Sequence, residues 1–331
     1  TTGFDTLGRA VDQTQDVYVY KGSLQLASHN VIKNLDYDNR GDAKTQQITS
    51  YRDLAEQILI DYKVLTNRSY DASHNISNQM VLTYSTPTSS TPLDVQEVRS
   101  IGFNPQGVAL KQILVTYSDL AKTQQLGVKE ILNSNIGPSG NVGVRVITNY
   151  SSATFQNGDT TLDSVTYSGP LDRQTITTDL FDNRGNALHE TVLSEGYVSG
   201  VWTFSSMQDI TNTLIDIHDQ TGHSIVKSYN VASIFTGLDD ITYTQYDKFG
   251  NIETENVRSY TDELKTILKE YKEVVNVFAD DVSRKRGNAQ TSTVSRWLDA
   301  TKLDTQWIDK TVMTTTGFDT LGRAVDQTQD V

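Results

Sequence analysis

Cysteine is absent from this chain of 331 residues, so disulfides, thiolate metal sites and a cysteine nucleophile are all excluded. Basic residues are scarce beside acidic ones, 28 against 41, for a net charge of −13. That balance leaves no basic stripe to neutralise phosphates and argues against nucleic acid and against docking on anionic lipid. No run of apolar residues approaches the length of a membrane span, so no membrane insertion is expected. The catalytic signatures are missing too: there is no Gly-x-Ser-x-Gly elbow, no His-Glu-x-x-His and no phosphate loop. An enzyme is not expected, nor is a cofactor or a catalytic or metal site.

What is present is repetition. TTGFDTLGRAVDQTQDV occupies residues 1–17 and again, letter for letter, 315–331. Between these copies runs a shorter period: FDTLGR (4–9), YDNRGD (37–42), YDASHN (70–75), FNPQGV (103–108), IGPSGN (136–141), FDNRGN (181–186), HDQTGH (218–223), YDKFGN (246–251) and SRKRGN (283–288). The steps are 33, 33, 33, 33, 45, 37, 28, 37 and 35 residues, so nine repeats fill one block of 314. The expected organisation is one nine-hairpin block, 1–314, and the start of an identical one at 315–331.

Asp-x-x-Gly is turn chemistry, because Asp caps the following N–H groups and Gly tolerates positive φ. The expected turn corners are Asp5 and Gly8, Asp38 and Gly41, Asp71 and His74, Asn104 and Gly107, and Gly137 and Gly140. The later ones are Asp182 and Gly185, Asp219 and Gly222, Asp247 and Gly250, Gly287 after Arg284, and Asp319 and Gly322. Pro105 and Pro138 stand at second corners, where a fixed φ suits a type I turn. His218 and His223 resemble a ligand pair, but the turn at Asp219 accounts for them. One Asp per turn supplies too few oxygens for calcium.

After each turn a strand of about ten residues is expected, roughly 33 Å long. Counted from the Asp position, the residue at +5 is small or aliphatic in eight repeats, +8 is polar in all nine, and +10 is apolar in all but one. At +13 stand Tyr18, Tyr51, Tyr84, Tyr117, Tyr150, Tyr260 and Trp297, and only the Asp182 and Asp219 repeats lack the aromatic. This series reads as an aromatic ladder between adjacent strands rather than a glycan-stacking row. Since neither strand face is uniformly apolar, a sheet wetted over much of its surface is favoured over a sandwich, unless a bulge between +5 and +10 restores one apolar face. Residues 261–278 carry apolar side chains at helical spacing after early acids and read as a short helix, although the Val-rich end also suits a strand.

At Tyr37-Asp38-Asn39-Arg40-Gly41, Phe4-Asp5-Thr6-Leu7-Gly8-Arg9, Phe181-Asp182-Asn183-Arg184-Gly185-Asn186 and Tyr246-Asp247-Lys248-Phe249-Gly250-Asn251 the chain resembles the RHS/YD-repeat family. Gly137 and Arg284 depart from it at the Asp position. The resemblance implies a mainly β fold, in which tandem hairpins join edge to edge into a spiralling sheet that walls a hollow tube or shell. It implies a structural role in an extracellular tube or fibre at a cell surface, whose partners are adjacent identical blocks. A surface adhesin or a toxin-encapsulating shell segment is the alternative. The self-cleaving segment that ends the toxin-releasing shells has no counterpart here.

Overall fold

The computed structural model describes residues 1–155, 165–318 and 324–331. Among them the chain is mainly β, with antiparallel strands in one twenty-stranded sheet that does not close on itself. The strands are β1 (Gly3–Phe4), β2 (Ala10–Tyr20), β3 (Leu24–Tyr37), β4 (Ala43–Tyr51), β5 (Leu59–Tyr70), β6 (Ile76–Tyr84), β7 (Asp94–Phe103), β8 (Ala109–Tyr117), β9 (Gln125–Ile136) and β10 (Val142–Phe155). They continue as β11 (Val165–Phe181), β12 (Ala187–Val198), β13 (Val201–Thr213), β14 (His223–Tyr229), β15 (Phe235–Tyr246), β16 (Ile252–Tyr260), β17 (Leu268–Val277), β18 (Thr291–Trp297), β19 (Trp307–Phe318) and β20 (Ala324–Asp330). The described pairings join strands that follow one another in sequence, as hairpin after hairpin requires.

Two compact units divide the chain: Thr1–Leu132 with Asn149–Pro170, and Asn133–Thr148 with Leu171–Val331. The first holds a closed apolar core. Val95, Ile113, Val115, Tyr117 and Val128 on β7, β8 and β9 meet Ala153 of β10, and Tyr150, Phe155, Val165 and Tyr167 pack against this cluster. Gln125 ties the segment down through both amide atoms, its Nε2 donating to the Ala153 carbonyl (2.7 Å) and its Oε1 accepting from the Ala153 N–H (3.0 Å). The 45-residue step therefore contains a strap that covers one face of the sheet. The second unit has scattered buried residues instead, such as Leu238, Val257, Tyr271 and Trp297.

The helix expected at 261–278 is not there. Residues 261–267 form a turn and Leu268–Val277 is β17. Asp262 accepts from the N–H groups of Thr266 and Ile267, so the early acid closes a loop and starts no helix. Leu264 and Ile267, two of the six residues of the supposed apolar stripe, point into solvent, whereas the β-branched Val274 and Val275 join a ladder to β18. The single described α-helix is short, α1 (Asp281–Arg286), capped by Asp280 through the Ser283 N–H.

Candidate functional site

The edge formed by the Asp-x-x-Gly turns is the most regular feature of the molecule. At Asp38, the Asp38 N–H donates to the Asp42 carbonyl (2.9 Å) and the Gly41 N–H to the Asp38 carbonyl (3.2 Å), while Asp38 Oδ1 accepts from the N–H groups of Arg40 and Asp42. This is a type I turn followed by a left-handed residue, a three-residue hairpin loop. The same bonds recur at Asp5, Asp71, Asn104, Asp182 and Asp247, and Gly137 keeps the backbone pair without a side-chain cap. The left-handed corner is held by Gly8, Gly41, Gly107, Gly140, Gly185 and Gly250 at φ of 76–91°, and by His74 at 66°. Hydrogen bonds from the Asn75 side chain and backbone hold the Asp71 carboxyl below the ordinary carboxylate range.

Two expected turns are elsewhere than expected. The turn assigned to Asp219 and Gly222 lies three residues earlier: Asp216 Oδ1 accepts from the N–H groups of His218 and Gln220, and Asp219 itself occupies the left-handed corner at φ 62°. Gly222 is needed for closeness instead, since a Cβ there would lie 2.8 Å from the Leu214 carbonyl oxygen. In the corrected frame Tyr229 falls at +13 and Val226 at +10, so the repeat regains its aromatic and its aliphatic. Gly287 ends α1 in the left-handed conformation, so Arg284–Gly287 is a helix C-terminus and no hairpin turn. Asp319 and Gly322 lie outside the described residues.

Successive turns are bolted together. Arg40 Nη2 donates to the Asp71 carbonyl of the next turn (2.8 Å), and His74 meets Asp42 at 2.6 Å. Arg184 repeats the first contact on the Asp216 carbonyl (2.7 Å), and Asn186 reaches Asp219 (2.8 Å). Further on, Asn251 donates to the Arg284 carbonyl at 2.6 Å, and Lys248 pairs with Asp281 at 2.7 Å.

Behind the turns runs a polar spine. The +8 residue sits directly across the strand pair from the residue four before the turn Asp: Asn34 opposite Gln46, Asn67 opposite Gln79, Ser100 opposite Gln112 and Asn212 opposite Ser224. Gln46 donates to Asn34 Oδ1 (2.8 Å) and Gln79 to Asn67 Oδ1 (2.7 Å). The asparagine amides reach back to the +5 carbonyl of the preceding repeat, Asn34 to Ala10 and Asn67 to Ala43, both at 2.8 Å. The tyrosine before the turn converges on that same carbonyl: Tyr37 on Ala10, Tyr70 on Ala43 and Tyr246 on Thr221. Beside the Asn the register slips, as between Asn34 and Asp36 and between Asn67 and Ser69, and it shifts again where the +5 residue pairs. Irregular pairing of this kind is how a strand re-aims its side chains, and here it leaves the +5 carbonyl to the next hairpin.

The aromatics at +13 mark the opposite edge. They do not stack on one another. Tyr84 faces Tyr62 (5.8 Å), Tyr51 faces His29 (6.2 Å) and Trp297 faces Tyr271 (6.0 Å), each partner lying on the preceding strand. Tyr117 pairs in register with Val95, Tyr260 with Leu238 and Tyr18 with Leu26, while Tyr150 stacks on Tyr167 at 4.3 Å. Each of Tyr51, Tyr117, Tyr260 and Trp297 is followed two residues later by an Asp (53, 119, 262, 299) that caps a second kind of turn. Its left-handed residue is long and charged: Glu56, Lys122, Lys265 or Lys302. These side chains fold back onto the sheet, Lys122 to Glu97 and Lys265 to Asp240 at 2.6 Å each, and Lys302 to Glu273. This clamp was missed in the sequence, although aromatic-x-Asp recurs there.

Glu97 is the most enclosed of the clamped acids. Arg68 and Lys122 each hold it at 2.6 Å and the buried Arg99 at 2.9 Å, with the Arg99 guanidinium 4.6 Å from the Phe155 ring centre. Burial opposes ionisation of Glu97, but the hydrogen bonds from Arg68, Lys122 and Arg99 outweigh it and hold its carboxyl below the ordinary range. Asn67, which with Arg68 and Ser69 forms an Asn-x-Ser sequon, is 1 % exposed and its amide is engaged, so it is closed to a glycan. Among the described residues, no group of three or more His, Cys, Asp or Glu side chains is placed to hold a metal ion.

No protein-family model and no curated protein matches the chain. Among solved structures it is similar to a chain in the crystal structure of TcdB2-TccC3-Cdc42, with 10 % identity over 97 % of this chain and a TM-score of 0.20. The corresponding values for TcdB2-TccC3-TEV are 11 %, 94 % and 0.18. The chain spans 25 % and 20 % of the length of those two.

Proposed function

We propose that the chain is a structural segment of a tandem hairpin array, one block of a wall extended by further identical blocks, in a tube or fibre outside the cell. The supporting observation is a recurrence of register. β1 meets β2 with Gly3 opposite Asp12 and Phe4 opposite Ala10; β19 meets β20 with Gly317 opposite Asp326 and Phe318 opposite Ala324. Every one of these residues is displaced by the 314-residue block length. The second copy thus enters the sheet as the first does, and neighbour contacts alone suffice for such growth. The recurring side chains do mechanical work within it: Asp and Gly shape turns, Arg and Asn tie turn to turn, and the spine ties hairpin to hairpin.

Electron microscopy of a protein carrying several blocks tests this reading. Fibres or tubes with an axial repeat set by the block are expected, and closed particles of fixed size would overturn it.

A further inference from the structure

Two histidines differ from the rest in what their rings touch. In the second compact unit, His189 on β12 has Nδ1 2.6 Å from Asp179 on β11 and Nε2 3.1 Å from Asp209 on β13. In the first, buried His29 on β3 has Nδ1 2.5 Å from Asp16 on β2, and its Nε2 faces Glu56 of the β4–β5 turn at 3.6 Å. A carboxylate only accepts hydrogen bonds, and a neutral imidazole carries one N–H. Such a ring satisfies one flanking acid and turns a lone pair toward the other. His189, within hydrogen-bond reach of both acids, therefore fits only the doubly protonated ring. His29, hydrogen-bonded to Asp16 with Glu56 at ion-pair distance from its buried Nε2, favours it. His74 and His223 lack this constraint. His223 has the Thr213 hydroxyl on Nδ1 (2.9 Å) and Asp240 on Nε2 (2.8 Å), and His74 uses Nδ1 between Asp42 and the Arg40 guanidinium.

We propose that His29 and His189 are protonation-dependent cross-strand rivets, each tying its own strand to carboxylates on two neighbouring elements, so that the hairpins cohere more strongly as the medium acidifies through neutrality. The ionisable groups around His29 are Asp16 on β2, Tyr51 on β4 and Glu56 in the turn. Around His189 they are Asp179, Asp209 and the adjacent Glu190, with Lys227 of β14 in register beyond Asp209 and engaged by Glu263. Hydrogen bonding to Asp16 and to Asp179, working against partial burial, raises both imidazoles above the ordinary histidine range. A raised folded-state value gives stabilisation that is complete below the unfolded value of 6.5 and is lost as pH rises through the folded values.

Imidazole nitrogen NMR on the wild-type chain tests this directly. His29 and His189 are expected to titrate above the ordinary histidine value of 6.5, with both ring nitrogens protonated below that midpoint. Midpoints at or below 6.5 would overturn the proposal. Thermal melts of His189→Gln and His29→Gln give a second readout. The gap to wild type is expected to shrink by at least about half between about pH 5.5 and about pH 8.5, and a gap that stays constant with pH counts against the rivets. Should a variant not fold, the wild-type titration decides alone.

Discussion

At the near turns a single backbone angle separates residue types. Gly250 sits at φ 88° with open space where a Cβ would be, so Gly250→Ala meets only the left-handed backbone penalty. A loss of about 1–2 kcal/mol in urea unfolding is expected. Asp216→Ala removes the acceptor of two backbone N–H groups, and about 1–2 kcal/mol is expected from the same measurement. An unchanged midpoint for Asp216→Ala would contradict the shifted turn. The Asp and Gly positions of most turns were legible because turn chemistry is local. The Asp216 frame was hidden by an accident of spacing, since Asp216-Ile-His-Asp219 and Asp219-Gln-Thr-Gly222 both present four-residue turns three residues apart. The missing aromatic at +13 was the clue, because moving the frame three residues earlier carries Tyr229 from +10 to +13.

At the scale of elements, the polar spine sets the pairing of hairpin on hairpin. Asn67 is buried with its amide on the Ala43 carbonyl and its oxygen on Gln79, so Asn67→Ala strands both partners. About 1–3 kcal/mol of destabilisation is expected in denaturant melts, whereas Asn39→Ala, exposed in a turn, is expected to be near neutral. Burial pushes the Tyr246 hydroxyl up to about 12, so in an ultraviolet pH titration this residue is expected to ionise above the ordinary tyrosine value of 10. The sequence showed the polar +8 position but not its purpose. Its partner four residues before the turn alternates among Asn, Ser, Thr and Tyr, and the Asp219 frame placed Asn212 out of line. The strap formed by the described residues 149–155 and 165–170 was visible only as a long step, because its contacts with the β7–β9 face are non-local. The supposed helix failed for a related reason: an Asp-capped turn followed by a Val-rich strand mimics helical spacing over a few residues.

At the scale of the whole chain, two sets of charges act on stability in opposite directions. Glu97 and Asp71, held below their ordinary values, contribute stability above the unfolded carboxylate range that is lost as pH falls through their folded values. His29 and His189, raised, lose their contribution as pH climbs. A stability maximum is therefore expected between the unfolded values of 4.5 for Glu and 6.5 for His, visible as the peak of melting temperature against pH. The mainly β hairpin architecture was legible because the repeat supplies its evidence many times over.

The consecutive pairing of strands also sets how the protein answers force. Inter-strand hydrogen bonds lie across the strands, so a pull along the row of hairpins loads them a few at a time, as a zipper is opened, and never shears a whole ladder at once. Each 33-residue repeat that peels away replaces about 10 Å of sheet width with about 110 Å of extended chain. Such a segment yields gently, dissipates work repeat by repeat, and re-forms from whichever hairpins remain paired. Single-molecule stretching is expected to show a long train of small releases whose lengths follow the uneven repeat steps, the longest of 45 residues, with the strapped β7–β9 region letting go last.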